Sequence, residues 1–293
     1  VRKYNAVFVA QNGALCGGEN FPYPYRIKTL QPNYREFDDS RHFFSAKKLA
    51  QENGLQIEEL LTPVPIVVNN ENLLLGCILC EDGWDEDYSV KPTQILNDKA
   101  NLDLVINASS SPFTLGKNNK RNRVFARQAK QLNTPVIYIN NTGIQNIGKT
   151  VYCFDGVSTV YAKDGEIIAQ CKSFSDELLV VDLPLNDSSI LQPQQPKSDN
   201  DISCIFTALC YAGKKMLDNT GLYKVVIGAS GGIDSAVAAA LYCHIIGPEN
   251  VLLVNMPSRY NSDTTKNLAA SIAKNLGCLY TCLLYTSDAA DDP

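Results

Sequence analysis

The chain has 293 residues, 45% of them hydrophobic and 19% charged, a balance that excludes disordered, collagen-like and coiled-coil chains and accommodates two globular domains. Lysine and arginine number 26 against 31 acidic residues, a formal charge of −5, and no long basic run offsets it, which argues against nucleic acid or an anionic membrane as partner. No apolar run approaches the roughly 18 residues of a membrane span, and Val1-Arg2-Lys3-Tyr4-Asn5 lacks the apolar stretch of a signal peptide, so the chain reads as soluble and cytoplasmic.

The first stretch, residues 1–183, reads as strands interrupted by helices. Tyr4–Ala10 and Ala14–Cys16 flank Gln11-Asn12-Gly13, a hairpin signal. Apolar runs at Pro65–Val68, Leu73–Cys80, Leu102–Asn107 and Val136–Asn140 predict strands. Between the last two, Asn118–Leu132 carries Val124, Phe125 and Ala129 at helical spacing, so one face should pack on a sheet. Val151–Phe154, Ser158–Ala162, the turn Lys163-Asp164-Gly165-Glu166 and a strand at Leu178–Leu183 complete a layered α/β domain.

Residues 184–201 are rich in Pro, Gln, Asn, Asp and Ser and read as a linker. Beyond them a helix at Ile202–Asp218, a strand at Lys224–Gly228, a helix at Asp234–Ile246 stopped by Gly247-Pro248, a strand at Val251–Met256 and a helix at Asp263–Leu276 capped by Ser262 predict a parallel, doubly wound domain over 202–282. Residues 283–293 break this rhythm and resemble translated adapter sequence, so they are set outside the fold.

The ten cysteines are scattered through apolar segments, as at Cys153, Cys204, Cys210 and Cys243, and read as reduced small hydrophobes. Cys77-Ile-Leu-Cys80 has a metal-like spacing, but in a strand an offset of three points the thiols to opposite faces, and no second pair or neighbouring His completes a ligand set.

Two places carry chemistry. In Gly228-Ala-Ser-Gly-Gly-Ile-Asp-Ser235, between strand and helix, Gly231 and Gly232 let backbone approach an anion. Ser230, Ser235 and the N–H groups opening the helix supply donors, so the expected ligand is a phosphate. The loop has neither the lysine of a Walker A motif nor the spacing of a dinucleotide fingerprint. In Leu79-Cys-Glu-Asp-Gly-Trp84, Cys80 sits at a strand end, well placed to be a nucleophile if a cation lowers its thiol pKa. His42 and His244, the only histidines, are poorly placed to serve it, and a lysine is the better candidate. Trp84 reads as packing.

Ser230-Gly-Gly-Ile-Asp-Ser235 resembles the pyrophosphate loop of the ATP pyrophosphatases, and Met256-Pro-Ser-Arg-Tyr-Asn-Ser262 resembles the second signature of their NAD synthetase branch. Ile78-Leu-Cys-Glu-Asp82 resembles the nucleophile strand of the nitrilase superfamily. Lys28-Thr-Leu-Gln-Pro-Asn-Tyr-Arg-Glu-Phe-Asp38 is similar to the lysine segment of the glutamine amidase fused to NAD synthetases. Asn107–Phe113 and Asn140–Gly148 resemble the segments that follow in that amidase. The order, amidase then synthetase, is that of the glutamine-dependent NAD synthetases.

This resemblance implies a nitrilase-like αββα sandwich followed by a Rossmann-like doubly wound domain, and a carbon–nitrogen ligase acting on glutamine, ATP and deamido-NAD. Cys80 is implied as nucleophile and Lys28 as stabiliser of thiolate and oxyanion. Tyr34, Glu81, Ser111 and Lys117 are implied around the glutamine head group. Gly228, Ser230, Gly231, Gly232, Asp234, Ser235, Met256 and Arg259 are implied around ATP, with Asp234 at Mg²⁺ and no tightly bound organic cofactor. The family also implies a protected ammonia path and a homo-oligomer. Its water-activating Glu precedes the lysine by many residues, upstream of Val1, so on this reading the chain is a fragment inactive in glutamine hydrolysis. The rival readings are a free-standing nitrilase-type amidase, an ATP pyrophosphatase with another acceptor, and a non-catalytic fragment that serves as an interaction module.

Overall fold

The computed structural model describes residues 2–18, 23–34, 37–148, 150–183, 201–257 and 263–283. The chain divides into two compact units, Val1–Thr142 with Phe154–Asp201, and Gly143–Cys153 with Ile202–Pro293. The segment Gly143–Cys153, which the sequence reading kept in the first domain, thus groups with the second. The proposed linker lies outside the described residues except for Asp201. The proposed tail does so except for Leu283, as do Arg259 and the capping Ser262.

The first unit is built on six strands in the order Ile167–Gln170, Thr159–Tyr161, Val136–Asn140, Leu104–Ser109, Glu71–Leu79 and Val64–Val68. Glu71–Leu79, Leu104–Ser109 and Val136–Asn140 pair in parallel; the outer pairs are antiparallel. A sheet with parallel central strands is buried on both faces, which explains the continuous apolar run from Leu73 to Leu79. Ile78 packs on one side with Leu96, Val105, Phe125, Ala129, Val136 and Tyr138. Its neighbour Cys77 packs on the other with Val64 and Leu75.

Helix Lys117–Leu132 covers the first face with Val124, Phe125 and Ala129, all buried, and ends where Asn133 turns left-handed at φ 49°. Val124 and Phe125 each contribute about 1.5–3 kcal/mol by leaving water, and the Ala129 methyl about 0.8 kcal/mol. The same helix also buries Asn118, Arg121, Asn122 and Gln128, which share the face of Val124, Phe125 and Ala129 by spacing although their polarity favours solvent.

Two expectations for this unit are corrected. Tyr4–Ala10 is not one strand: Ala6–Val7 pairs with Arg26–Ile27, while Ala10–Gln11 and Ala14–Leu15 form the hairpin over Asn12 and Gly13. Leu178–Leu183 has no strand geometry. There Val181 and Leu183, partly buried, pack against Val160, Ala162, Ile168 and Ala169, while Leu178, Leu179 and Val180 are exposed.

The second unit alternates helix Ile202–Thr220, strand Val225–Gly228, helix Ile233–Ile246, strand Val251–Asn255, helix Asp263–Leu276 and strand Leu279–Cys282. The last strand was not anticipated. The three strands are parallel and lie in chain order, each joined to the next through a helix. Ala229, Ala239, Val251, Leu253, Ala269 and Ala273 form the core; the small alanines let helices approach the sheet closely. The hairpin strands Thr142–Asn146 and Val151–Asp155 pair with each other. Among the described residues no helix is long and apolar enough to cross a membrane.

Candidate active site

The strand Glu71–Leu79 ends in a tight turn over Cys80–Gly83. Cys80 adopts φ 44°, a left-handed conformation that costs a non-glycine residue roughly 1–2 kcal/mol. The neighbouring strand pays this back in contacts: Asn107, fully buried, donates its side-chain N–H to the Cys80 carbonyl at 3.2 Å and accepts the Ser109 hydroxyl at 2.7 Å. Gly83 is obligatory here, because a Cβ would lie 2.3 Å from Asn107 Nδ2 and 2.6 Å from the Phe125 ring. Burial pushes the Cys80 thiol up. The Lys28 ammonium is the strongest opposing charge, the Glu81 carboxylate pushes up again, and Lys117 and the Ser109 hydroxyl pull down.

Lys28 is buried, its backbone N–H donating to Asn5 O at 2.8 Å and its carbonyl accepting from Ala46 N at 3.0 Å. Its ammonium pairs with Asp39 Oδ2 at 2.5 Å. Neither residue is among those lining the cavity of Cys80; Lys28 acts on the thiol through its charge.

That cavity, about 620 Å³, is lined by Cys80, Glu81, Tyr34, Ser111 and Lys117 together with Trp84 and Tyr88. Tyr34 Oη donates to Glu81 Oε2 at 3.1 Å and Tyr88 Oη to Glu81 Oε1 at 2.8 Å. Ser111 is fixed by a buried network. Its N–H donates to Asn140 Oδ1 at 2.8 Å, and its carbonyl accepts from Asn140 Nδ2 and Arg121, each at 3.1 Å. Arg121 in turn holds Asp155 with two bonds of 2.6 and 2.9 Å. Lys117 Nζ donates to the Pro112 carbonyl at 3.0 Å. Trp84 packs edge-on against Phe125 while also forming part of the cavity wall. Cys77, on the opposite face from Cys80, is held neutral by burial, its thiol pushed up to about 11.

In the second unit Gly228, Ser230, Gly231, Gly232, Asp234 and Ser235 come together at the opening of helix Ile233–Ile246. Gly231 has φ 81°, accessible to glycine at little cost. The Gly232 N–H donates to Ser230 Oγ at 3.2 Å, and Ser235 Oγ donates to Gly232 O at 3.0 Å. The loop and Asp234 are largely exposed, leaving helix N–H groups open to an anion. Met256 lies over Gly228: its Cε would be 3.9 Å from a Cβ there. Ser230, Ser235 and Asp234 offer hard oxygen donors of the type magnesium takes beside phosphates.

Residues 62–189 match the carbon-nitrogen hydrolase family and residues 205–286 match the NAD synthase family. The chain is 33% identical over 258 residues to the glutamine-dependent NAD(+) synthetase of a Synechocystis strain, covering 85% of this chain and 42% of that protein. By these matches the chain resembles the glutamine-dependent NAD(+) synthetases, with the carbon-nitrogen hydrolase segment first and the NAD synthase segment second. It is also 29% identical to the glutamine-dependent NAD(+) synthetase of Thermotoga maritima over 94% of this chain and 48% of that one. It thus spans less than half the length of these relatives. Among solved structures, the glutamine-dependent NAD+ synthetase of Acinetobacter baumannii, solved with ADP, superposes with TM-score 0.75 at 28% identity, over 97% of this chain and 48% of that chain. The enzyme from Cytophaga hutchinsonii shares the fold at TM-score 0.66 and 16% identity, over 96% of this chain and 49% of that one.

Around the Cys80 cavity, sequence reasoning missed Asp39, Asp82, Asn107, Asn140, Arg121 and Tyr88 as partners of the residues it named. Asn107 and Asn140 did leave a signal, each a polar residue at the end of an apolar strand run. Tyr88 left none.

Proposed function

We propose that the chain carries the glutamine-hydrolysing and ATP-activating chemistry of a glutamine-dependent NAD synthetase, with glutamine handled by residues 1–183 and ATP by residues 202–282. The observation that carries the reading is the placement of Cys80 in a polar cavity beside Glu81, with the Lys28 ammonium the strongest charge favouring its thiolate.

Cys80 Sγ would attack the side-chain amide carbon of glutamine. The Lys28 ammonium, with Lys117 near it, favours the thiolate and the oxyanion of the tetrahedral intermediate. The C–N bond then breaks, the thiol proton leaves with the amide nitrogen as ammonia, and a γ-glutamyl thioester remains for water to hydrolyse to glutamate. Glu81 and Tyr34 suit the substrate α-ammonium, and Ser111 and Lys117 its α-carboxylate.

In the second unit Gly228, Ser230, Gly231, Gly232, Ser235, Met256 and Arg259 would hold ATP. Asp234 would hold magnesium, which when bound neutralises the pyrophosphate leaving group. The carboxylate of deamido-NAD attacks the α-phosphorus, pyrophosphate departs, and ammonia displaces AMP from the adenylate to give the amide. The same reading puts the protein in the cytoplasm as a homo-oligomer.

Glutamine incubated with the chain should acylate Cys80, read as a glutamyl mass increase on the peptide containing it, and Cys80→Ala should abolish both the adduct and the one equivalent of ammonia released as it forms. Undiminished ammonia release by Cys80→Ala would overturn the assignment.

A further inference from the structure

The carboxylate of Glu81 is buried, 5% exposed, yet no Lys, Arg or His among the described residues forms an ion pair with it. Its hydrogen-bond partners are two neutral phenols, one on each oxygen: Tyr34 at 3.1 Å and Tyr88 at 2.8 Å. The neighbouring cations are engaged elsewhere, Lys28 with Asp39 and Lys117 with the Pro112 carbonyl. A buried carboxylate without a cation is costly unless it is held by donors or receives a charge from a ligand. All three side chains line the cavity in front of Cys80. Tyr88 follows the short turn Asp85–Asp87, separate from the segment that carries Tyr34, so the carboxylate is clamped from two directions and cannot swing away from the cavity.

We propose that Tyr88 is a positioning residue for substrate selection: with Tyr34 it fixes Glu81 as a cation acceptor, so that the site takes amides bearing a neighbouring ammonium group and discriminates against plain amides. The inference rests on the reading of Cys80 as the nucleophile of a glutamine site. Each phenol occupies one lone pair of a carboxylate oxygen, and a carboxylate offers about four such sites, which leaves acceptor capacity for the N–H groups of an incoming ammonium. Losing one phenol frees the carboxylate to rotate and weakens its hold on the ammonium, while leaving the thiol, Lys28 and Lys117 untouched.

The test uses the purified chain and two alkylating probes, a glutamine-shaped diazoketone amino acid and the same diazoketone lacking its α-amino group, with labelling of the Cys80 peptide followed by mass spectrometry. For Tyr88→Phe, the half-saturating concentration of the amino-bearing probe should rise about tenfold, the ratio that a lost hydrogen bond to a charged group gives. Its limiting rate, and both parameters of the deamino probe, should hold. An unchanged half-saturation, or equal shifts for both probes, would overturn the role of Tyr88. If iodoacetamide alkylates Cys80 in the parent chain but neither diazoketone does, the glutamine site itself fails and the inference goes with it.

Discussion

The Asp82 carboxylate accepts the backbone N–H groups of Thr29 at 3.0 Å, Leu30 at 2.7 Å and Leu79 at 3.2 Å. It thereby ties the segment bearing Lys28 to the end of the strand that presents Cys80. Burial nonetheless pushes its acid up from 3.8 to about 7, the three N–H bonds and Lys28 pulling only part of the way back. Between these values the folded chain holds a proton that the unfolded chain has released. Folding is therefore favoured at the acid end of the window, and this contribution is lost as pH rises from about 4 through about 7. The expected outcome is that Asp82→Asn flattens the fall in Tm over that window. Since the Asn amide meets the Leu79 N–H with a donor, the variant should also melt below the parent at pH 5. A parent and variant with parallel Tm profiles would count against Asp82 as the titrating group.

At the scale of elements, the helix Lys117–Leu132 does two jobs with two sets of residues. Its apolar stripe covers the sheet, as its periodicity announces. Its buried polar residues reach under the substrate wall: Gln128 donates to the Gly83 carbonyl at 2.8 Å, and Arg121 joins Ser111 to Asp155. Removing one partner of a buried ion pair leaves the other charge stranded, at a cost of about 3–5 kcal/mol, so Arg121→Met should lower the urea midpoint by the corresponding amount. Arg121→Met with Asp155→Leu should recover much of that loss, and a single variant as stable as the parent would refute the account. Here the sequence was half legible. Val124, Phe125 and Ala129 could be read because spacing alone turns them inward. Arg121, four residues before Phe125, shares that face, but its charge reads as solvent-facing, because its partner Asp155 lies 34 positions away and a single sequence carries no trace of which polar residues meet across such a distance. The same limit hid the pairing of Lys28 with Asp39 and of Tyr88 with Glu81. It also misled the reading of Leu178–Leu183, an apolar run of which only Val181 and Leu183 pack, partly buried, with no strand ladder.

At the scale of the whole molecule, two α/β units have separate cores, and on the proposed reading a ligand for one should stabilise that unit alone. A ligand that binds the folded state protects it in proportion to its saturation, by about 2.7 kcal/mol at a concentration a hundred times its dissociation constant. ATP with magnesium should therefore slow proteolytic cleavage within residues 201–283 and leave cleavage of the first unit unchanged, whereas glutamine should do the reverse. The anion site in the second unit depends on Gly231 at φ 81°, a conformation that a β-branched side chain adopts only under strain. Gly231→Val should thus abolish protection by ATP while leaving glutamine protection of the first unit intact. Fragment patterns on gels, with cleavage sites located by mass spectrometry, distinguish these outcomes. ATP that slows cleavage of both units equally, or protection that survives Gly231→Val, would place the nucleotide somewhere other than the loop that opens helix Ile233–Ile246.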